Sequence, residues 1–304
     1  MDKLESIRVF IAVARAGGFS AASRALGQPL ATVSRKVAEL EESLGVRLFE
    51  RSTRQVVLTE AAKDYFEACQ RVSDELRDAD DTVMGEYRMP KGELHVTAPI
   101  GFGRQHLLPV LLEFMREYPE ITVRVNCLDR MVNLLDEHVD VAVRINNLPD
   151  SSLVARRVGE IKMLVCAGPG YLATRGTPEH PRELMDHSCI SWSSLGPHKA
   201  WLFRDEGIDT MFPIDIRMTS NLPDAVVAAA VANLGLAQIT SYQAEPFVRT
   251  GELMPVLRAY EDAPTAINLV HPSNRRVPLK LRVFLDFAAP RLQERMQAVS
   301  QLFE

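Results

Sequence analysis

The sequence predicts an α/β protein in three parts: a small helical segment closed by a hairpin, one long helix, and a larger region where strands alternate with helices. Three observations carry this. Residues 1–59 hold short amphipathic runs separated by glycines. Residues 60–87 hold no proline and a single glycine, Gly85. From Met89-Pro90 onward, short β-like runs alternate with helical ones, the pattern of an α/β domain. Proline and glycine in Met89-Pro90-Lys91-Gly92 break the long helix. The division is therefore 1–59, 60–89 and 90–304, and a chain of 304 residues fits about two domains.

Composition narrows the class. Apolar residues make up 46% and charged residues 25%, enough for a sizeable core under an ordinary soluble surface. No apolar run reaches the ~18 residues of a membrane span. The opening MDKLESIRVFIAVARAGG reads as an amphipathic helix rather than a signal peptide, so a cytoplasmic protein is expected. Cys69, Cys127, Cys166 and Cys189 form no C-x-x-C pair and have no zinc spacing. They read as buried thiols; a redox pair, the alternative, needs exposed thiols of lowered pKa. The net charge is −5, but it is uneven. Residues 1–60 hold nine Lys/Arg and seven Asp/Glu, and the remainder carries −7. Only the first segment suits a polyanion.

In that segment Asp2 and Glu5 have capping-box spacing, and Leu4, Ile7, Phe10, Ile11 and Ala14 form an apolar stripe that Gly17-Gly18 ends. Ser20 is placed to cap a second helix carrying Ala21, Ala22, Ala25 and Leu26. Gly27 makes the turn, and Pro29 suits the first position of a third helix. That helix buries Val33, Val37, Leu40 and Leu44 and stops at Gly45. Arg35 then points outward, flanked by Thr32, Ser34 and Lys36, while Glu39, Glu41 and Glu42 make the second half acidic. A short helix, a tight turn and a second helix with polar N-terminal side chains is how a recognition helix enters the major groove. Arg47, Arg51 and Arg54 follow in a candidate hairpin suited to the sugar-phosphate backbone. Periodicity alone leaves open a generic three-helix core with solvated charges.

Thr59 can cap the long helix. Ala62, Tyr65, Cys69, Val72, Leu76, Ala79 and Val83 then recur at three and four residues, a heptad seam that needs a partner. The alternative is packing against its own domain.

The stretch FSAASRALGQPLATVSRKVAELEESLGVRLFERSTRQVVLTEAA resembles the N-terminal signature of LysR-type transcriptional regulators. The matching pieces are Ala21-Ala22, Val33-Ser34-Arg35, Leu40-Glu41, Leu44-Gly45-Val46-Arg47-Leu48-Phe49-Glu50-Arg51 and Leu58-Thr59-Glu60. It departs from the family at Pro29, Leu30 and Ala62. The resemblance implies a winged helix-turn-helix that binds double-stranded DNA at a promoter operator, an interrupted inverted repeat. Thr32, Ser34, Arg35, Lys36, Arg51 and Arg54 would make the contacts. It also implies a linker helix that pairs two subunits antiparallel through Tyr65, Cys69, Val72, Leu76, Ala79 and Val83, in a homodimer or homotetramer.

In the third region, alternation or apolar runs predict strands over 93–98, 121–125, 140–145, 161–167, 214–218 and 267–271. Helices are predicted over 107–118, 222–232 and 279–288. Strand–helix alternation argues for parallel sheets, with ligands beyond the C-terminal strand ends. This region is similar to the LysR-type effector domain at Gly92-Glu93-Leu94-His95-Val96, Asp140-Val141-Ala142-Val143-Arg144, Gly170-Tyr171-Leu172, Ser220-Asn221, Gly235-Leu236-Ala237, His271-Pro272 and Val283-Phe284-Leu285-Asp286-Phe287. The resemblance implies the two lobes of type II periplasmic binding proteins, lobe I near 90–160 and 268–304 and lobe II near 161–267.

Candidate effector residues are Ile100, Gly101 and Phe102, which open a helix after a strand, and Arg144, which could meet an anion or form an internal salt bridge. Ser220 and Asn221 could bind a ligand or only cap a helix. Trp192 could line a pocket or fill the core. His180 and His187 lack a third ligand, so no metal and no cofactor are expected. No G-x-x-x-x-G-K-[ST], H-E-x-x-H or G-x-S-x-G occurs, which argues against an enzyme. A transport-type binding protein would need export, and a DNA-architectural protein would need no sensor. The expectation is a sequence-specific DNA-binding regulator controlled by a small-molecule effector, an organic anion by preference, with no membrane partner.

Overall fold

The computed structural model describes residues 2–51, 56–83, 89–145, 153–192, 199–273 and 277–304. It forms two units, Met1–Arg88 and Met89–Glu304. Among the described residues no single helix is long and apolar enough to cross a membrane.

The first unit runs α1 (Lys3–Ala16), α2 (Phe19–Leu26), α3 (Leu30–Leu44), β1 (Phe49–Arg51), β2 (Val56–Leu58) and α4 (Glu60–Val83). Gly17, Gly27 and Gly45 take φ near +65, +62 and +69°, the left-handed conformation that ends a helix and that glycine adopts without strain. Asp2 Oδ1 accepts from Glu5 N at 3.2 Å, capping α1. Glu5 does not close the box: its Oε1 accepts from Gln28 Nε2 at 2.9 Å and faces Lys36 Nζ at 3.1 Å. Two expected starts move, the first by two residues and the second by one. Gly18, not Ser20, is the N-cap of α2, and Pro29 caps α3 from outside, leaving Leu30 first. The buried face of α1 is also rotated, with Val9, Phe10, Ile11 and Val13 inside and Leu4 exposed. Phe10 anchors this core, its ring 5.4, 5.7 and 5.9 Å from Phe49, Tyr65 and Phe66.

The second unit holds two five-stranded sheets, introduced in chain order: β3 (Gly92–Ala98), α5 (Ile100–Phe102), a π-helical turn (Gly103–Leu107), α6 (Leu108–Glu117), β4 (Ile121–Cys127), β5 (Val141–Ile145) and β6 (Leu153–Ile161). Then come β7 (Met163–Ala167), α7 (Pro169–Arg175), β8 (Ser188–Trp192), β9 (Ala200–Asp205), β10 (Ile208–Pro213), β11 (Asp215–Ser220), α8 (Pro223–Val231), β12 (Leu236–Thr240), α9 (Ser241–Arg249), β13 (Met254–Val256), β14 (Thr265–Pro272) and α10 (Leu279–Leu302). The first sheet has order β4-β3-β5-β14-β6 and the second β11-β8-β12-β7-β13.

The expected all-parallel sheets are mixed. β3 runs parallel to β4 and β5, but β14 is antiparallel to β5 and β6; β12 is parallel to β8 and antiparallel to β7. The reason is connectivity: the chain leaves the first sheet between Ile161 and Met163 and returns only at Thr265, entering from the other end. Leu94, Val96 and Ala98 alternate into the core under α6 and α10, where the Phe114 ring packs 5.2 Å from Phe284 and 5.4 Å from Phe287.

Candidate DNA interface and effector cavity

The outer face of α3 follows from its buried face. Val33, Val37 and Leu40 are fully buried, which turns Ala31, Arg35, Ala38 and Glu42 to solvent, with Thr32 and Ser34 half-buried beside them. Arg35 is 68% exposed and loosely paired with Glu39 at 3.7 Å. Such an exposed i,i+4 pair is worth only about 0.3–0.5 kcal/mol, so it holds the guanidinium weakly. Lys36 is placed differently from the sequence expectation: it folds back on Glu5 and ties α3 to α1. The two donors, Gln28 first and then Lys36, hold the Glu5 carboxyl below its usual range. Ala31 and Ala38, four before and three after Arg35, share its exposed face and have small side chains, which sequence periodicity alone does not mark out.

The hairpin beside α3 pairs Phe49 with Leu58 and Arg51 with Val56, antiparallel. Glu41 Oε1 accepts from Leu48 N at 2.7 Å and Phe49 N at 3.3 Å, so the acidic half of α3 fixes the hairpin against the helix. Arg54 and the side chain of Arg51 lie outside the described residues.

On α4, Thr59 Oγ1 accepts from Ala62 N at 3.2 Å, the cap the sequence suggests. The apolar seam then divides. Ala62 and Cys69 are buried in the unit's own core, with Tyr65 against Phe10. Val72 and Leu76 are 48% and 46% exposed. The first half of the seam therefore serves its own domain, and Val72 and Leu76 present apolar surface. The side chains of Ala79 and Val83 lie outside the described residues.

In the second unit a cavity of about 390 Å³ opens between the two sheets. The first-sheet side gives Thr97, Ala98, the loop Leu128–Val132 and Arg144; the second-sheet side gives Met163, Trp192, Gln238–Thr240, Tyr242 and Gln243. Of the sequence candidates, Gly101, Arg144 and Trp192 line it together. Four do not. Phe102 is fully buried, edge-on to Tyr242 at 5.6 Å. Ile100 contributes its backbone N–H, which donates to Asp129 Oδ1 at 3.0 Å. Ser220 Oγ accepts from Leu222 N at 3.1 Å, which closes a tight turn ahead of α8 without capping the helix, and Asn221 is exposed outside the lining.

Arg144 NH2 donates to Val132 O at 2.9 Å, and among the described residues no carboxylate pairs with it. Gly101 fits closely where it stands: a Cβ there would lie 3.0 Å from Gln243 Nε2 and 3.3 Å from the Tyr242 hydroxyl. Gln243 in turn reaches back along α9, its Oε1 accepting from Thr240 N at 3.1 Å and Thr240 Oγ1 at 2.8 Å. Thr240 to Gln243 has the spacing of a capping box, the one sequence signal that marks this wall. Burial pushes the Tyr242 hydroxyl up to about 12, so it stays protonated. Next to it His106, in the π-helical turn, has both ring nitrogens buried without a partner; burial, then Arg295, lowers it to about 4 and it stays neutral. Two contacts bridge the sheets at the cavity edge, Arg104 to Asp224 at 2.5 Å and Gln105 Nε2 to Tyr242 O at 2.8 Å.

Burial raises the thiols of Cys127, Cys166 and Cys189, the last two to about 12, which holds them as thiols rather than reactive thiolates.

Comparison with known proteins agrees with both halves. Residues 4–63 match the model of the bacterial regulatory helix-turn-helix protein, lysR family, and residues 88–293 match that of the LysR substrate binding domain. An HTH-type transcriptional regulator of Xanthomonas campestris pv. campestris is 36% identical over 293 residues, covering 95% of this chain and 85% of that protein. The structure of CrgA, a LysR-type transcriptional regulator from Neisseria meningitidis, superposes with a TM-score of 0.62 at 32% identity over 95% of this chain and 98% of that one. Full-length AphB, the Vibrio cholerae virulence activator, gives 0.59 at 26% identity over 94% and 98%. Two family models that together span most of the sequence, and relatives aligned over nearly its whole length, lead to one conclusion: the chain belongs to the LysR family of bacterial helix-turn-helix transcriptional regulators.

Proposed function

We propose that this regulator reads its operator through the outer stripe of α3 centred on Arg35, and is controlled by a small organic effector held between the two sheets. The observation that carries the effector site is the cavity itself: both sheets wall it, its lining is mainly apolar, and one guanidinium, Arg144, pairs with no carboxylate among the described residues. That is the usual composition of a small-molecule site. Residues 1–59 act as the DNA-binding domain, 60–89 as the linker helix and 90–304 as the effector domain, with no catalytic step and with action in the cytoplasm. The effector acts by favouring one arrangement of the two sheets, and by linkage DNA and effector change each other's affinity by the same factor.

Arg35→Ala tests the DNA side. A good bidentate base contact is worth about 1–3 kcal/mol, so operator affinity should fall roughly ten- to a hundredfold. Because Arg35 is exposed, the melting curve should not move. A variant that footprints like the wild type at physiological salt removes Arg35 from the interface.

Homo-oligomerisation is assigned to the exposed half of the α4 seam. Leu108, Leu112 and Met115 make a second exposed apolar stripe, on α6, suited to the same end. Leu76→Asp should lower the molar mass seen by light scattering, since an unpaired charge buried in an apolar seam costs several kcal/mol. An unchanged mass, at concentrations where the wild type is oligomeric, rules this seam out.

A further inference from the structure

We infer that the effector is bifunctional: an acidic group for Arg144 and a hydrogen-bond donor, ammonium or hydroxyl, for Asp129, on a compact apolar body. This rests on the cavity being the effector site, and it narrows the ligand class.

Asp129 follows β4 by two residues and forms part of the cavity wall. Its Oδ1 accepts from Ile100 N at 3.0 Å. The helix opening that the sequence offers to a ligand anion is therefore filled by the protein's own carboxylate. The second such opening, at α8, carries Asp224 in its first turn, paired with Arg104. An anionic ligand at either place would meet negative charge. Arg144 is left as the cation for it, with one N–H committed to Val132 O and the rest of its planar fork unpaired by carboxylates among the described residues.

The other oxygen of Asp129 points to the second requirement. Oδ2 is buried and, among the described residues, has no hydrogen-bond partner. An unsatisfied buried acceptor is costly, and a ligand donor that reaches it recovers that cost on binding. Both polar readers belong to the first-sheet side, because Arg144 holds Val132 O in the same loop that carries Asp129. Met163, Trp192 and Ile239 of the facing side supply the apolar wall for the body. At about 390 Å³ the space takes a small molecule.

Matched probes test this by isothermal titration calorimetry on the full chain. The sets are 4-methylpentanoate against leucine, 3-phenylpropanoate against phenylalanine and 3-(4-hydroxyphenyl)propanoate, and hexanoate against 6-aminohexanoate. In at least one set the donor-bearing member should bind about tenfold or more tighter than its donor-free partner, since a hydrogen bond to a charged group is worth ~1.5–3 kcal/mol. Asp129→Asn keeps an oxygen for Ile100 N and so keeps the fold, checked by its melt, yet should abolish the preference for the ammonium members. Arg144→Gln should weaken every carboxylate. Donor-free members that bind as tightly as their partners, still dependent on Arg144, overturn the bifunctional ligand and leave the cavity as an anion site. Carboxylate binding that ignores Arg144→Gln, or no binding by any set, overturns the anion reading as well.

Discussion

Asp140→Ala is expected to destabilise the C-terminal unit by about 3–5 kcal/mol, the cost of leaving a buried charge without its partner. Asp140 stands just before β5. Its Oδ2 accepts from His95 N on β3 at 2.8 Å and lies 3.4 Å from Lys280 Nζ on α10. Lys280 is buried, and its ammonium also donates to Glu93 O. It occupies the second position of α10, where the positive end of the helix dipole opposes a cation, so the carboxylate matters more than in an ordinary pair. One side chain thus pins two strands and the final helix. Urea unfolding read by circular dichroism measures the loss, and Lys280→Met in the Asp140→Ala background should restore much of it because no buried charge remains. A single variant within about 1 kcal/mol of wild type would show that water reaches Lys280 and that the pair is not structural.

The sequence was most informative where the physics is local. Glycines at 17, 27 and 45 marked three helix ends because each must turn left-handed there. The period of Val33, Val37 and Leu40 placed Arg35 outward without any tertiary information. Errors arose where burial by distant elements decides. α10 was expected to end near residue 288, before Pro290, yet it continues to Leu302 because Leu292, Met296 and Val299 bury against the first sheet's side of the unit. Phe102 follows a strand as a ligand-contacting residue could, but the ring of Tyr242, far along the chain, draws it into the core. Strand–helix alternation does not give the direction of β14, whose antiparallel pairing with β5 and β6 is fixed only after the second sheet is built. The alternation pattern likewise does not mark the hairpin of β9 with β10. The cavity wall shows the same limit. Arg144 and Trp192 could be picked by residue type, whereas Asp129 owes its role to a bond with Ile100, and Gln243 to its approach to Gly101.

Phe10→Ala should be the most damaging change to DNA binding, although Phe10 is placed nowhere near a base. The ring is fully buried and meets Phe49 of the hairpin and Tyr65 and Phe66 of α4. It thereby joins α1, the element that holds α3 through Glu5 and Lys36, to both flanking elements. Truncating a buried phenylalanine typically costs about 3–5 kcal/mol in lost transfer energy and cavity formation. A unit of this size has little more stability than that to lose, roughly 5–15 kcal/mol for whole domains. The expected result is an early melting transition assigned to the N-terminal unit and a loss of binding to all DNA sequences alike. This separates it from Arg35→Ala, which should lose operator affinity with an unmoved melt. Titration of an effector into the Phe10 variant should remain near wild type, because every contact of Phe10 named here lies within residues 2–83. A Phe10→Ala protein that melts and footprints like wild type would mean that the four-ring cluster does not hold α3 and the hairpin together.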